Sequence, residues 1–313
     1  LAAPIEGLAA DNVNAGDEAA IMAVKAAVQG VNTEDATQEE KDKLAAITAT
    51  CGTLLDKITA VARDISAVLT KLGTLGEANA KSTDRTVLEE VLADLQLLLD
   101  SDNLTDNERA VLFGKKTVAE AALDRIDAVA AALSGSEDLA EGITEDNATA
   151  EDKTDLESAL AEIASILESY DGNLTAAEKS ALGGRKAVAE KALARINEIA
   201  RMIEDATKGI QGITEDNAAL EHEEALKEAI AALKDLLQTY PDNLTASQKL
   251  AVEEQIADGE KALIRIEAVV KAVADAQDLI RGITESTATA SDRTRLEQAI
   301  LQFQQILKDY AAN

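Results

Sequence analysis

Tyr170-Asp171-Gly172-Asn173-Leu174-Thr175-Ala176-Ala177-Glu178 returns 70 residues later as Tyr240-Pro241-Asp242-Asn243-Leu244-Thr245-Ala246-Ser247-Gln248. Its centre, Asn-Leu-Thr, also stands at Asn103, and Tyr310 is a further counterpart of the two tyrosines. Gly142, Gly212 and Gly282 keep the same step. A fixed period of this size marks an array of like modules rather than one globular core.

The stretch reads as a turn followed by a helix start. Thr105, Thr175 and Thr245 are each followed three residues later by Glu108, Glu178 or Gln248, and Thr37 with Glu40 is a diverged copy. This is the capping box, in which the Thr hydroxyl accepts from an early helical N–H and the Glu or Gln accepts from the N–H of the cap. Leu104, Leu174 and Leu244 stand where a hydrophobic staple packs on the first turn. Asp102-Asn103, Gly172-Asn173 and Asp242-Asn243 supply the tight turn. The Asn-x-Thr spelling, with Asn147 as another case, is also a glycan acceptor pattern; the cap is preferred because it explains Thr, Glu and spacing together.

Two helical patterns flank each turn. The shorter carries Leu156, Leu160, Ile163, Leu167 and Tyr170, repeated as Leu226, Ile230, Leu233, Leu237 and Tyr240, and as Leu296, Ile300, Phe303, Leu307 and Tyr310. Alternating steps of four and three give a narrow apolar seam suited to bundle packing. The longer runs from Thr175 to about Ile210, with Leu182, Ala189, Leu193, Ile196, Ala200, Ile203 and Ile210 on one face. Gly183-Gly184 is a place for a kink, but the copy after Asn243 lacks the pair, which favours one continuous helix.

The second junction, Gly142-Ile143-Thr144-Glu145-Asp146-Asn147, recurs at Gly212 and begins again at Gly282, with a weaker form from Gly7 to Asn12. The Gly is placed to end the long helix, and Thr149 with Asp152 or Thr289 with Asp292 opens the next short one. Around Gly73-Thr74-Leu75-Gly76 the period shortens to about 66. The expected fold is all-α: tandem three-helix-bundle repeats forming an elongated helical rod, with four long and five short helices. The modules are taken as 1–76, 77–142 (shortened), 143–212, 213–282 and a C-terminal half repeat, 283–313.

Composition agrees with helices. Apolar residues make up 46% of the chain, aromatics 2%, and Pro occurs twice; Ala- and Leu-rich, Pro-poor sequence favours helix. The net charge of −29 disfavours nucleic acid and anionic membranes as partners. It fits solubility and repulsion between modules, or a basic partner surface. No apolar run approaches the roughly 20 residues that span a bilayer. The chain begins at Leu1 without an initiator Met or signal peptide, so a processed protein or a piece of a longer one is expected.

Chemistry finds little to work with. Cys51 is the single cysteine and reads as a small packed thiol. His222, the single histidine, lies in Glu221-His222-Glu223-Glu224, where other modules have Asp152 and Asp292. No phosphate-cradling or dinucleotide-binding glycine loop and no EF-hand is present. Tyr170, Tyr240 and Tyr310 lie on the core face and suit end-of-bundle packing. No catalytic, cofactor-binding or metal-ligating residue is assigned, no cofactor is expected, and any binding residues are left unassigned.

Helix, turn and capped helix resemble the FIVAR-type and related three-helix repeats of Gram-positive surface proteins. The likeness rests on Ala36-Thr37-Gln38-Glu39-Glu40 after Asn32-Thr33-Glu34-Asp35, and on the layout from Leu156 through Leu167, Asn173, Thr175 and Glu178 to Leu193 and Ile196. It implies an extracellular, wall-associated protein whose repeats serve as stalk, spacer or adhesive modules. Related modules bind host proteins such as immunoglobulins or albumin through helix faces. A non-enzymatic, monomeric rod engaging an immunoglobulin, albumin or matrix protein is therefore expected, against a pure spacer or, third, a cytosolic or engineered scaffold. Exposed positions drift between copies: Asp152-Lys153-Thr154 becomes His222-Glu223-Glu224 and then Asp292-Arg293-Thr294. Such drift suits a spacer, or a site in one module only.

Overall fold

The computed structural model describes residues 2–138 and 140–310. Among these the secondary structure is helical, without strands. Five short α-helices, α1 (Glu18–Gln29), α3 (Arg85–Leu99), α5 (Lys153–Ser169), α7 (Glu223–Thr239) and α9 (Arg293–Asp309), alternate with four long ones, α2 (Gln38–Leu72), α4 (Asp106–Asp138), α6 (Ala176–Lys208) and α8 (Ala246–Ile280). The 35 residues of α8 span about 52 Å. α6 runs unbroken through Gly183-Gly184, as its copy led one to expect.

Two compact units are distinguished: Leu1–Glu137 with Ile163–Leu182, and Asp138–Glu162 with Gly183–Asn313. In the first, α1 packs on the front half of α2 around Ile21, Val24, Cys51, Leu54 and Ile58. The back half of α2 offers Val61, Val68 and Leu72 to a second core with Leu88, Val91 and Leu95 of α3 and Leu112, Ala119 and Ala122 of α4. One long helix thus serves two successive cores. Helices α3 and α4 run antiparallel, since Lys116 Nζ donates to Gln96 Oε1 at 2.8 Å while Arg85 pairs with Asp127. In the second unit α6 does likewise, giving Ala189, Ala192 and Ile196 to a core with Leu156 and Ile199 and Ala206 to one built with α7 and α8.

The long helices share a register counted from the capping Thr. Leu112, Leu182 and Val252 follow it by seven residues, Ala119, Ala189 and Gly259 by fourteen, Ala122, Ala192 and Ala262 by seventeen, and Ile126, Ile196 and Ile266 by twenty-one. All are buried. Small residues at the two middle positions let the short helix approach closely. In α2 the first of these positions is Cys51, fully buried.

One sequence expectation needs correcting. Among the described residues, α2 contains an 18-residue window of mean hydropathy 1.3, long and apolar enough by length and composition to cross a membrane. Its apolarity is one-sided: Cys51, Leu54 and Ile58 face the core with α1, while Thr48, Thr50, Thr53 and Thr59 turn their hydroxyls onto carbonyls four residues back.

Candidate functional site

The caps form as the spacing demands. Thr37, Thr175 and Thr245 hydroxyls accept from the N–H of Glu40, Glu178 and Gln248 at 3.3, 3.2 and 3.1 Å. The return bonds from the Thr N–H to the Glu or Gln side chain are 2.8, 2.7 and 3.0 Å. The Thr37 N–H and then its hydroxyl hold the Glu40 carboxyl below the ordinary 4.5. Burial alone raises Glu178, but the Thr175 N–H, the Ser82 and Thr175 hydroxyls and the Lys81 charge outweigh it and leave the group below 4.5.

The short helices open differently from the sequence expectation. Thr149–Asp152 and Thr289–Asp292 enclose a single 3-10 turn, and the α-helix starts after it. Asp152 accepts from the Thr149 N–H at 2.7 Å and from its hydroxyl at 2.9 Å. His222 does the same work: its Nδ1 accepts from the Ala219 N–H at 3.1 Å. An imidazole so used has one nitrogen engaged in the turn.

The asparagines of the Asn-Leu-Thr turns do more than shape a turn. Asn173 is 2% exposed. Its Nδ2 donates to the carbonyls of Glu77 and Ala80 at 2.8 and 2.9 Å, more than 90 residues upstream. Asn103 reaches Ala10 and Val13 at 3.1 and 2.8 Å, and Asn243 reaches Glu145 and Ala148 at 2.9 Å each. Each turn is thereby latched to the loop that precedes a short helix. Both amide hydrogens are spent on the latch, so a glycan on these asparagines would break it. Gly172 shows how close the approach is: a Cβ there would lie 2.5 Å from the Ala78 carbonyl oxygen.

The latched loop is also tied to itself. Asn147 Nδ2 donates to the Gly142 carbonyl at 2.8 Å, and its Oδ1 accepts from the Thr144 N–H at 2.7 Å. Asn12, Asn79 and Asn217 repeat this, and in the last copy the Thr287 hydroxyl substitutes. Gly142, Gly212 and Gly282 have φ of 77°, 80° and 76°. Only Gly282 lies directly past a helix cap, Arg281; Gly212 belongs to the loop, because α6 already ends at Lys208.

A second repeated group escaped the sequence reading. Arg125, Arg195 and Arg265 stand 20 residues after the capping Thr and lie over the rings of Tyr170, Tyr240 and Tyr310 at 4.3, 4.9 and 4.1 Å. Arg125 donates to the Ser169 carbonyl at 2.6 Å and to Asn173 Oδ1 at 3.1 Å. Arg265 donates to the Asp309 carbonyl at 2.6 Å. A cation thus sits on the last turn of a short helix, where free carbonyls and the helix dipole favour it, with a cation–π contact added. Lys57 holds this register in α2, and Asp100 stands where the other turns have Tyr; there Arg109 donates to Leu99 and Ser101 carbonyls instead. The 70-residue step was the signal that would have revealed these arginines.

Outside the joints, among the described residues, no group of three or more His, Cys, Asp or Glu side chains is arranged to hold a metal ion. Cys51 is fully buried. An apolar groove of about 300 Å³ on the second unit is lined by Leu220, Ile266, Val269, Val270, Val273 and Ala274, among others. Leu220 and Val270 are 62% and 44% exposed there. The module before it has Ala150 and Ala200 at those positions.

No family model, curated protein or solved structure matches this chain.

Proposed function

We propose that the chain is a non-enzymatic, extracellular array of tandem three-helix bundles, extended as a monomeric rod, that binds a host protein through a helix face. The proposed setting is the wall of a Gram-positive bacterium, as the resemblance to FIVAR-type repeats implies. The partner class is an immunoglobulin, albumin or matrix protein. The observation that carries the binding reading is the apolar groove around Leu220 and Val270, two exposed positions at which the preceding module has Ala150 and Ala200. A compact apolar patch on a chain of net charge −29 suits a partner surface that is apolar at its centre and basic at its rim.

The intact chain, immobilised and exposed to serum and mucosal secretions, should enrich one such protein. Leu220→Glu with Val270→Glu should abolish the enrichment. No enrichment from either fluid would leave the spacer. That second reading has its own support: the latches repeat with the same bonding while surface residues drift, which is what a structure selected for reach and stiffness needs.

A further inference from the structure

The flanks of the short helices are covered unequally. In α7 one flank carries Ala229, whose Cβ lies 3.5 Å from where a Cβ on Gly209, just past α6, would be. The other carries Ile230, against which Gly259 of α8 is seated so closely that an added Cβ would meet two Ile230 carbons at 3.0 Å. Helix α7 is therefore sandwiched between the long helix before it and the long helix after it. Leu226, Ile230 and Leu233 are at most 6% exposed as a result.

Among the described residues, only the first flank of α9 is covered. It packs on α8, Ala299 is 2% exposed, and Arg265 of α8 binds its last turn. The second flank is bare. Ile300, the counterpart of Ile230, is 55% exposed, and Leu307 is 73% exposed. Leu296 and Phe303, counterparts of fully buried leucines, are only partly buried. Apolar side chains in an i, i+4, i+7, i+11 row form the seam into which a second helix packs.

We infer that this flank of α9 is an acceptor for one further long helix of the repeat's own type. The internal copies define the occupant's chemistry. It begins with a Thr-capped turn and carries an aliphatic residue seven positions on, Gly or Ala at fourteen, Ala at seventeen and Ile at twenty-one, as α4, α6 and α8 do. The small residue at fourteen is what fits over Ile300, as Gly259 fits over Ile230. A bulky residue there is excluded by the same 3.0 Å approach. The internal copies bring the occupant up to Val269 as well, since its counterpart Ile199 is buried in the core with α7 and α8; Ile300, outside the groove, is the residue that separates this inference from the adhesive reading.

The test adds a synthetic peptide of residues 243–280, the α8 turn and helix, to the intact chain. Binding is followed by fluorescence anisotropy and by hydrogen exchange. The expected result is saturable binding with at least tenfold slower exchange confined to α9. Ile300→Glu or Leu307→Glu in the chain, or Gly259→Leu in the peptide, should each weaken it at least tenfold, and Gln298→Glu, whose counterpart in α7 is the exposed Glu228, should leave it unchanged. Because Ile300 and Leu307 are exposed, these variants keep the fold. The inference is overturned if the peptide fails to bind, or if binding is indifferent to Ile300→Glu. It is equally overturned if the chain alone self-associates, or a serum protein binds, through a surface that Ile300→Glu destroys.

Discussion

At the scale of single residues, the buried asparagines carry the greatest consequence. Asn173→Ala leaves two carbonyls without their donor in a buried site, and such a loss costs about 1–3 kcal/mol. The same change at exposed Asn217, which ties one loop to itself, should cost less than about 1 kcal/mol. Urea unfolding followed by circular dichroism compares the two. The caps add a pH dependence. Glu178 and Glu40 titrate below 4.5 in the fold, so their stabilisation is complete above that value and is lost as pH falls through the lower, folded pKa. Glu178→Gln keeps the box, as Gln248 does natively. The stability difference between wild type and this variant should therefore shrink between pH 7 and pH 3, read from urea midpoints at both.

At the scale of elements, glycines with different surroundings should respond oppositely. Nothing lies within 4 Å of a Cβ placed on Gly183 or Gly184 in α6, so Ala at either should raise stability by about 0.5–1 kcal/mol. Gly259→Leu should destabilise α8 against α7, because Ile230 already occupies the space; thermal unfolding reads both signs. The elements themselves were legible in the sequence, since seams stepping by four and three and Thr-x-x-Glu boxes are local patterns. So was the place of His222, through its counterparts Asp152 and Asp292. The latch was not, because Asn173 meets Glu77 and Ala80 across more than 90 residues and no local pattern encodes that meeting. Asn173 looked like a turn residue because it is one as well. The arginines were hidden for another reason: Arg125 among helix-surface charges looks like any solvated cation until its 70-residue recurrence is set beside that of the tyrosines.

At the scale of the whole molecule, the net charge of −29 should oppose compaction of neighbouring modules. Raising ionic strength from 0.01 M to 0.15 M shortens the screening length from about 30 to about 8 Å, and the midpoint of thermal unfolding should rise by a few degrees. A charge effect confined to local ion pairs would lower it. The central claim of the proposed function is that like modules follow one another end to end. Small-angle scattering of the intact chain tests it most directly. Under the proposed function, four long helices of roughly 50 Å that each overlapped the next by half would make a rod of about 125 Å with a radius of gyration of about 35 Å. The account predicts that value; a radius near 20 Å, as for one compact domain of 313 residues, would contradict it.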